Sequence, residues 1–423
     1  MTSERPAVAY LFTTFPKETE SFLQREIAAL RAAGVPLRLY SMWGGKASFR
    51  GMPVERFRLW RLVALVWVLP AEACRRPGLV RELLRGLFRR RPPSWINFWE
   101  NLLGAGFACV QARRFRRDPP ALVHAPWAGA PATAAWILWR ADGHRFSAAA
   151  HAYDIFEHGG DWWLREKLAD AAFVHTSTDL ARRALIERGV PAAGIVRIRR
   201  GLERIPAMKP LRASRSPLRL LSVARLVEKK GVDRQLRIYA ALRAAGVPFA
   251  ARIVGDGPLR GELERLAARL GVSTEVTFTG ALRQPEVWTE LAGADVLLHT
   301  GVVAPSGDRD GLPNVIAEAM AAGVVVIASP AGGAAEAVAD GINGIAASPE
   351  DPPVWVAALR RLAGDDAFAE ALRAAAHAWV EENFDAHRNA ARLKAEFERA
   401  MGVSPPPPPS GADPVAFGPG SPS

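Results

Sequence analysis

The feature that most limits this chain's fold is a repeated alternation. Short apolar runs are separated by amphipathic helical stretches, and the pattern begins twice. In the first half the runs fall at residues 8–12, 36–40, 121–125, 146–151, 171–176 and 195–198. A helix is predicted over 20–33, where Phe22, Leu23, Ile27 and Leu30 share one face and Gly34 ends the pattern. In the second half the runs fall at 219–224, 249–254, 275–279, 295–299 and 324–329, with helices over 233–245, 259–270, 285–292 and 313–322. Strands this short, divided by helices, belong to parallel sheets covered on both faces. The expected fold class is α/β, with two doubly wound parallel-sheet domains. A length of 423 residues is enough for two cores. Residues 204–217 have no period and contain Pro206, Pro210 and Pro217, so they read as a linker. Two such domains leave a cleft between them, and open α/β sheets bind ligands at the carboxyl ends of their strands.

Charge is distributed unevenly. The chain carries a formal net charge of +12. Residues 56–117 hold 14 arginines and no lysine against Glu72, Glu82 and Glu100, so this one segment supplies nearly all of the excess. Trp60, Trp67, Trp95 and Trp99 lie among those arginines, and 59–69 and 79–88 mix apolar and arginine positions. Short basic amphipathic helices with tryptophan suit an anionic membrane surface. The plain alternative is a helical insertion with a solvated basic face. Nucleic acid fits less well, because no helix-turn-helix, RNP or zinc signature is present. No signal peptide or spanning segment is legible: the apolar run 62–69 is too short to cross a bilayer. Cys74 and Cys109 offer neither a disulfide framework nor a CxxC pair, which suits a reducing cytoplasm. Residues 404–423 are rich in Pro, Gly and Ser and are expected to be disordered.

The densest motif is the stretch 307–323. Asp310 precedes a Gly311-Leu312-Pro313-Asn314 turn, with Pro313 suited to the first position of a helix. The amides of Gly311, Leu312 and Asn314 would face a phosphate at the positive end of that helix. Glu318 lies roughly a turn and a half into the helix, where it could reach a ligand lying across the first turn, for example through ribose hydroxyls. The plain alternative makes Asp310 an N-cap and Glu318 a solvated side chain. Asp308-Arg309-Asp310 also spells a D-x-D string, but no histidine or further carboxylate stands at ligand spacing, so no metal is expected. In the loop 222–231, Arg225 can fork onto phosphate oxygens and Lys230 can add a point charge. Gly255 and Gly257 form a strand-to-helix turn that permits close backbone approach, without full G-x-G-x-x-G spacing. His151, at a strand end with Asp154 three residues on, is either polar cleft machinery or a structural histidine. His124 is the weaker of the two histidines. The loop 15–22 joins the first strand to its helix; its plain reading is a capping box around Thr19 or Glu20.

Taken together, Asp310-x7-Glu318, the Arg225-to-Lys230 loop, Gly255-Asp-Gly-Pro258, Phe278-Thr-Gly280 and Gly332-Gly-x-x-Glu336-x-x-x-Asp340-Gly resemble retaining glycosyltransferase family 4 across residues 222–344. Phe15-Pro-Lys-x-Thr-Glu-Ser-Phe22, His124-Ala-Pro-Trp-Ala and Ala-His151-Ala-Tyr-Asp154 resemble its colanic-acid and exopolysaccharide branch. The resemblance implies a GT-B fold of two Rossmann-like domains. Residues 1–205 would bind the acceptor, with 56–117 as a membrane-facing insertion. Residues 206–217 would be the linker, 218–384 the nucleotide-sugar domain, 385–401 a helix returning to the first domain, and 402–423 a tail. It also implies roles. Arg225 and Lys230 would hold the diphosphate, with Gly255 and the Gly311–Asn314 turn beside them. Glu318 would bind ribose, Asp310 the donor sugar, and His151 would sit by that sugar. The chain departs from the pattern in two places: Asp310 replaces a Glu, and Lys17 and Thr19 stand where a glycine pair is usual.

The expected reaction moves a sugar, with retention, from a UDP- or GDP-sugar to a lipid-linked or polysaccharide acceptor. It needs no cofactor and takes place at the inner face of the cell membrane. Two other classes remain: an epimerase or hydrolase of nucleotide sugars on the same fold, and a membrane-bound scaffold with a degenerate donor site.

Overall fold

A computed structural model describes residues 7–89, 91–212 and 215–402. The expected tail at 404–423 lies outside them. The first sheet contains β1 (Val8–Phe12), β2 (Leu37–Ser41), β3 (Ser48–Phe49), β4 (Met52–Arg56), β5 (Leu122–Ala125), β6 (Phe146–Ala149), β7 (Val174–Thr176) and β8 (Ile195–Arg197). Their spatial order is β3-β4-β2-β1-β5-β6-β7-β8, parallel except for the β3–β4 hairpin. The second sheet holds β9 (Leu218–Val223), β10 (Phe249–Val254), β11 (Val276–Gly280), β12 (Val296–His299), β13 (Val325–Ala328) and β14 (Ile345–Ala346). Its order, β11-β10-β9-β12-β13-β14, is the 3-2-1-4-5-6 arrangement of a Rossmann sheet. The central strands β1, β5, β6, β7, β12 and β13 are buried along their whole length because helices cover both faces.

Helices of the first domain are α1 (Ser21–Ala32), α2 (Leu65–Arg75), α3 (Pro77–Arg89), α4 (Trp95–Arg117), α5 (Ala130–Asp142), α6 (Tyr153–Phe156), α7 (Leu164–Ala169) and α8 (Asp179–Glu187). Those of the second are α9 (Val232–Ala244), α10 (Arg260–Arg269), α11 (Gln284–Gly293), α12 (Asn314–Ala321), α13 (Pro352–Gly364) and α14 (Asp366–Asn383). The last helix, α15 (Ala386–Met401), buries Ala390, Leu393 and Phe397 in the first domain's core beside Tyr10 and Ile27. Two crossings join the domains, and they touch. Leu202 donates its amide to Phe384 and accepts from Ala386. A Cβ on Gly201 would lie 2.3 Å from the Ala386 backbone, so only glycine lets the two crossings meet.

The basic segment is less of an insertion than its composition implies. Its longest helix, α4, is the crossover from β4 to β5 and buries Leu103, Phe107, Ala108, Ala112 and Phe115. It packs so closely on α5 that a Cβ at Gly104 would meet the Ala130 carbonyl at 2.2 Å. The part that stands out is the 3-10 turn Leu59–Ala64 together with α2, neither of which has a buried residue.

Candidate active site

In both sheets the strand order reverses at a switch point: β1 against β5, and β9 against β12. The loops that leave these strands line a cleft of about 730 Å³ between the domains. Lys17, Thr19 and Glu20 follow β1; Trp127 follows β5; His151, Ala152 and Tyr153 follow β6; Arg200 follows β8. From the other domain, Arg225, Lys229 and Lys230 follow β9, and Asp308 and Asp310–Asn314 follow β12. Parallel strands all point one way, so residues far apart in sequence converge at this edge.

Of the residues singled out in the sequence, His151, Arg225, Lys230, Asp310, Gly311, Leu312, Pro313 and Asn314 line the cleft. Gly255 and Glu318 do not. Gly255 has φ +139°, and a Cβ there would sit 1.8 Å from the Ala224 carbonyl. Its glycine lets the 254–258 turn pack on the loop that carries Arg225, rather than letting backbone approach a ligand. Pro313 is the N-cap of α12, not its first helical residue, and Asp310 does not cap it. Gly311 brings this turn against the first domain: a Cβ would lie 2.8 Å from the His151 carbonyl. Among the described residues no acceptor meets the amides of Gly311 or Leu312. Nor does α1 start with a capping box, since Glu20 makes no side-chain cap.

The charged groups divide into paired and unpaired. Lys230 donates to Asp310 Oδ2 at 2.6 Å, and Lys229 meets Asp308 Oδ2 at 2.7 Å. His299, at the end of β12, approaches the same Asp310 oxygen at 3.2 Å through Nε2. The fold thus supplies the histidine that sequence spacing does not show beside the D-x-D string, while two lysines already neutralise its carboxylates. Burial alone would raise the Asp310 carboxyl; Lys230 and His299, with Lys229 behind, outweigh it and hold Asp310 well below the usual carboxylate range. Arg225 is exposed in the cleft and has no ion-pair partner among the described residues. Burial, assisted by Arg200, pushes His151 well below the usual imidazole value, so at neutral pH its ring is an uncharged hydrogen-bonding group. Asp154 sets the loop that holds it, accepting from the amides of Ala128, His151 and Ala152.

Glu318 is nearly buried, and Oε1 accepts from Arg25 Nη2 on α1 and from Gln284 Nε2, each at 3.0 Å. It is neither solvated nor facing the cleft; it ties the domains together. Glu336 does the same, accepting from the amides of Asp179 and Leu180 at the N-terminus of α8. The sequence reading missed Arg25, Gln284, His299, Arg200 and Glu100. Burial raises the Glu100 carboxyl, at the cleft wall, to about 7, with nearby Asp161 adding to the effect.

Residues 205–379 match the model of the Glycosyl transferases group 1 family. The chain carries a group 1 glycosyltransferase domain. The amylovoran biosynthesis glycosyltransferase AmsK of Erwinia amylovora is 27% identical over 402 residues, 91% of this chain and 97% of that protein. The putative colanic acid biosynthesis glycosyltransferase WcaL of Escherichia coli K12 is 34% identical, but over only 38% of this chain and 40% of its own length. A crystal structure of Anabaena Alr3699/HepE in complex with UDP and glucose superposes with a TM-score of 0.69 at 18% identity, covering 93% of this chain and 100% of that one. The architecture of this glycosyltransferase is therefore GT-B, with the two Rossmann-like sheets facing the cleft just described.

Proposed function

We propose that this protein moves a sugar from a UDP- or GDP-sugar to a lipid-linked or polysaccharide acceptor in exopolysaccharide synthesis, with retention at the anomeric carbon. One observation carries the reading: the unpaired Arg225 and the free amides of Gly311 and Leu312 converge at the switch-point edge of the second sheet, across from His151. Breaking the anomeric bond puts negative charge on the leaving diphosphate. The Arg225 guanidinium and the positive end of α12 stabilise that charge. Lys230 joins them by exchanging Asp310 for phosphate. Asp310 then turns to a sugar hydroxyl, one methylene short of the Glu in the family pattern. His151, neutral, donates or accepts a hydrogen bond at the sugar. Asp310, held by Lys230 and His299 until the donor arrives, then serves as a hydrogen-bond acceptor for a sugar hydroxyl rather than as a nucleophile. This favours attack from the leaving-group side, with a phosphate oxygen taking the acceptor's proton. No metal is required, because cationic side chains and amides balance the diphosphate.

The names of AmsK and WcaL support an exopolysaccharide acceptor, and the UDP complex of the structural neighbour supports a nucleotide donor. The protruding segment supports a membrane-bound site of action. Trp60 and Trp67 are each 68% exposed and stand with Val63 and Val66 among arginines. Anionic headgroups attract each such cation by about 1 kcal/mol. No helix among the described residues is long and apolar enough to cross a membrane.

Calorimetric titration with UDP and GDP tests the donor site. One nucleotide binds, and Arg225→Ala weakens it by about 10- to 150-fold, the worth of a charge-assisted hydrogen bond. Failure of both nucleotides to bind the wild-type chain would sink the transferase reading and favour the scaffold.

A further inference from the structure

Behind the cleft, one face of the first sheet carries an unusual polar row. Tyr10 on β1 stands opposite His124 on β5, His124 opposite Ser147 on β6, and Ala149 opposite His175 on β7. Side chains at paired positions share a face, so Tyr10, His124, Ser147 and His175 all project the same way. Glu26 of α1 covers them. One donor atom each from Glu26, His124 and His175 lies within 4.8 Å of the other two.

The hydrogen bonds around these groups leave ligating atoms spare. His124 Nδ1 is 2.8 Å from Ser147 Oγ, and its Nε2 has no partner. Both ring nitrogens of His175 are without a partner, although the residue is almost wholly buried. Tyr10 donates to Glu26 Oε1 at 3.0 Å, leaving Oε2 uncommitted. A second ring nitrogen or carboxylate oxygen held by a hydrogen bond, with the first left bare, is the arrangement that orients metal ligands in proteins.

We propose that Glu26, His124 and His175 form a site for a borderline divalent cation, zinc above others, joining α1 to β5 and β7 behind the catalytic cleft. The donor set selects the metal class: two imidazoles and one carboxylate suit zinc and disfavour calcium or magnesium, which take oxygen. The donors are gathered but not yet at ligating distance. A metal about 2.0–2.1 Å from each donor in tetrahedral geometry sets the donors roughly 3.4 Å apart, so the widest pair closes by up to about 1.4 Å, by rotation of the Glu26 and imidazole side chains. Burial raises the Glu26 carboxyl to about 7, so a proton competes with the metal there, and the nearby Arg200 charge also opposes a cation; the site is correspondingly of moderate affinity. The function is structural. The His175 ring stands 5.2 Å from that of His151, so the metal would fix the floor on which His151 rests. The site is separate from the D-x-D string, and it departs from the sequence-based expectation of no metal in this chain.

The test uses the full chain, stripped with a chelator and then titrated with Zn2+ against a chromophoric competitor, and with Co2+ followed by visible absorption. One equivalent is taken up, with a cobalt spectrum of nitrogen and oxygen ligation. His175→Asn lowers zinc affinity by about 100-fold or more, and Ser147→Ala, which frees the His124 ring, by about 10- to 100-fold. Circular dichroism checks folding; should His175→Asn not fold, Ser147→Ala decides. No uptake by the wild-type chain, or uptake unchanged in the folded variants, overturns the proposal.

Discussion

Arg25 is the sharpest place to test how the two domains and the donor site are coupled. Its guanidinium meets Glu318 Oε1 at 3.0 Å, and the side chains are 12% and 6% exposed. Gln284 holds the same oxygen at 3.0 Å, and Arg25 also donates to Ser21 Oγ at 3.2 Å. The site reading asks Glu318 to accept from the ribose hydroxyls of the donor. With Oε1 occupied by Arg25 and Gln284, turning the carboxylate to the ribose costs one charge-assisted hydrogen bond, about 1.5–3 kcal/mol. Arg25→Ala removes the competitor, while Gln284 still orients the carboxylate. Nucleotide affinity should rise by about 10- to 150-fold, because the competent state no longer has to be selected from the tied one. The same substitution loosens the closed arrangement and lowers thermal stability, since a mostly buried carboxylate loses its cation. Calorimetry with UDP and GDP on wild type and Arg25→Ala, beside thermal unfolding, reads both effects. Unchanged or weaker nucleotide binding in a folded Arg25→Ala variant would refute the reasoning; Glu318 would then be a domain tie and no ribose ligand.

Two further outcomes follow from the cleft wall and the protruding surface. Burial raises the Glu100 carboxyl from 4.5 to about 7, so the fold favours its protonated form. Its contribution to stability is complete below about 4.5 and lost as pH rises through 7, so Glu100→Gln should gain up to about 3 kcal/mol on wild type between pH 5 and pH 8. A constant difference across that range in thermal unfolding would contradict the assignment. Trp60→Ser combined with Trp67→Ser should cut binding to anionic vesicles about tenfold or more while leaving nucleotide affinity intact. Equal flotation of wild type and variant would remove those side chains from the membrane reading.

The strand pattern was legible because it depends on local composition. The runs at 8–12 and 249–254 and the helix at 386–401 coincide with β1, β10 and α15. The β3–β4 hairpin was hidden by its two-residue first strand, and α13 by the Pro352-Pro353 that opens it, although Trp355, Val356, Leu359 and Leu362 already show helical spacing. The cleft loops were legible for the same reason as the strands they follow. What the sequence withheld are pairings across the cleft. Arg25 lies 293 positions from Glu318, and a lone arginine on an amphipathic helix looks like any solvated charge. His299 reads as the end of an apolar strand until the fold brings Asp310 beside it. Gly255 was legible as a glycine that must be glycine, but the backbone it makes room for is Ala224, not a ligand.

The basic segment shows how one helix can serve two surfaces. The first turns of α4 expose Trp95, Ile96 and Trp99, while Glu100 faces the cleft and Asn97 and Asn101 bond to the buried Asp161. Asp161 pairs in turn with Lys167, which also donates to Asn101 and Thr133, so this end of α4 is fixed by a largely buried polar network. A helix held that firmly cannot move its tryptophans without moving its cleft carboxylate. If the exposed face rests on a bilayer, the bilayer surface sits at a set distance from the acceptor side of the cleft. A soluble oligosaccharide would need no such register. An acceptor whose reactive hydroxyl is tethered to a lipid would, because only a sugar near the headgroups could then reach His151 and the donor. On the proposed membrane contact, then, the rigidity of this corner fits a lipid-linked acceptor better than a free polysaccharide.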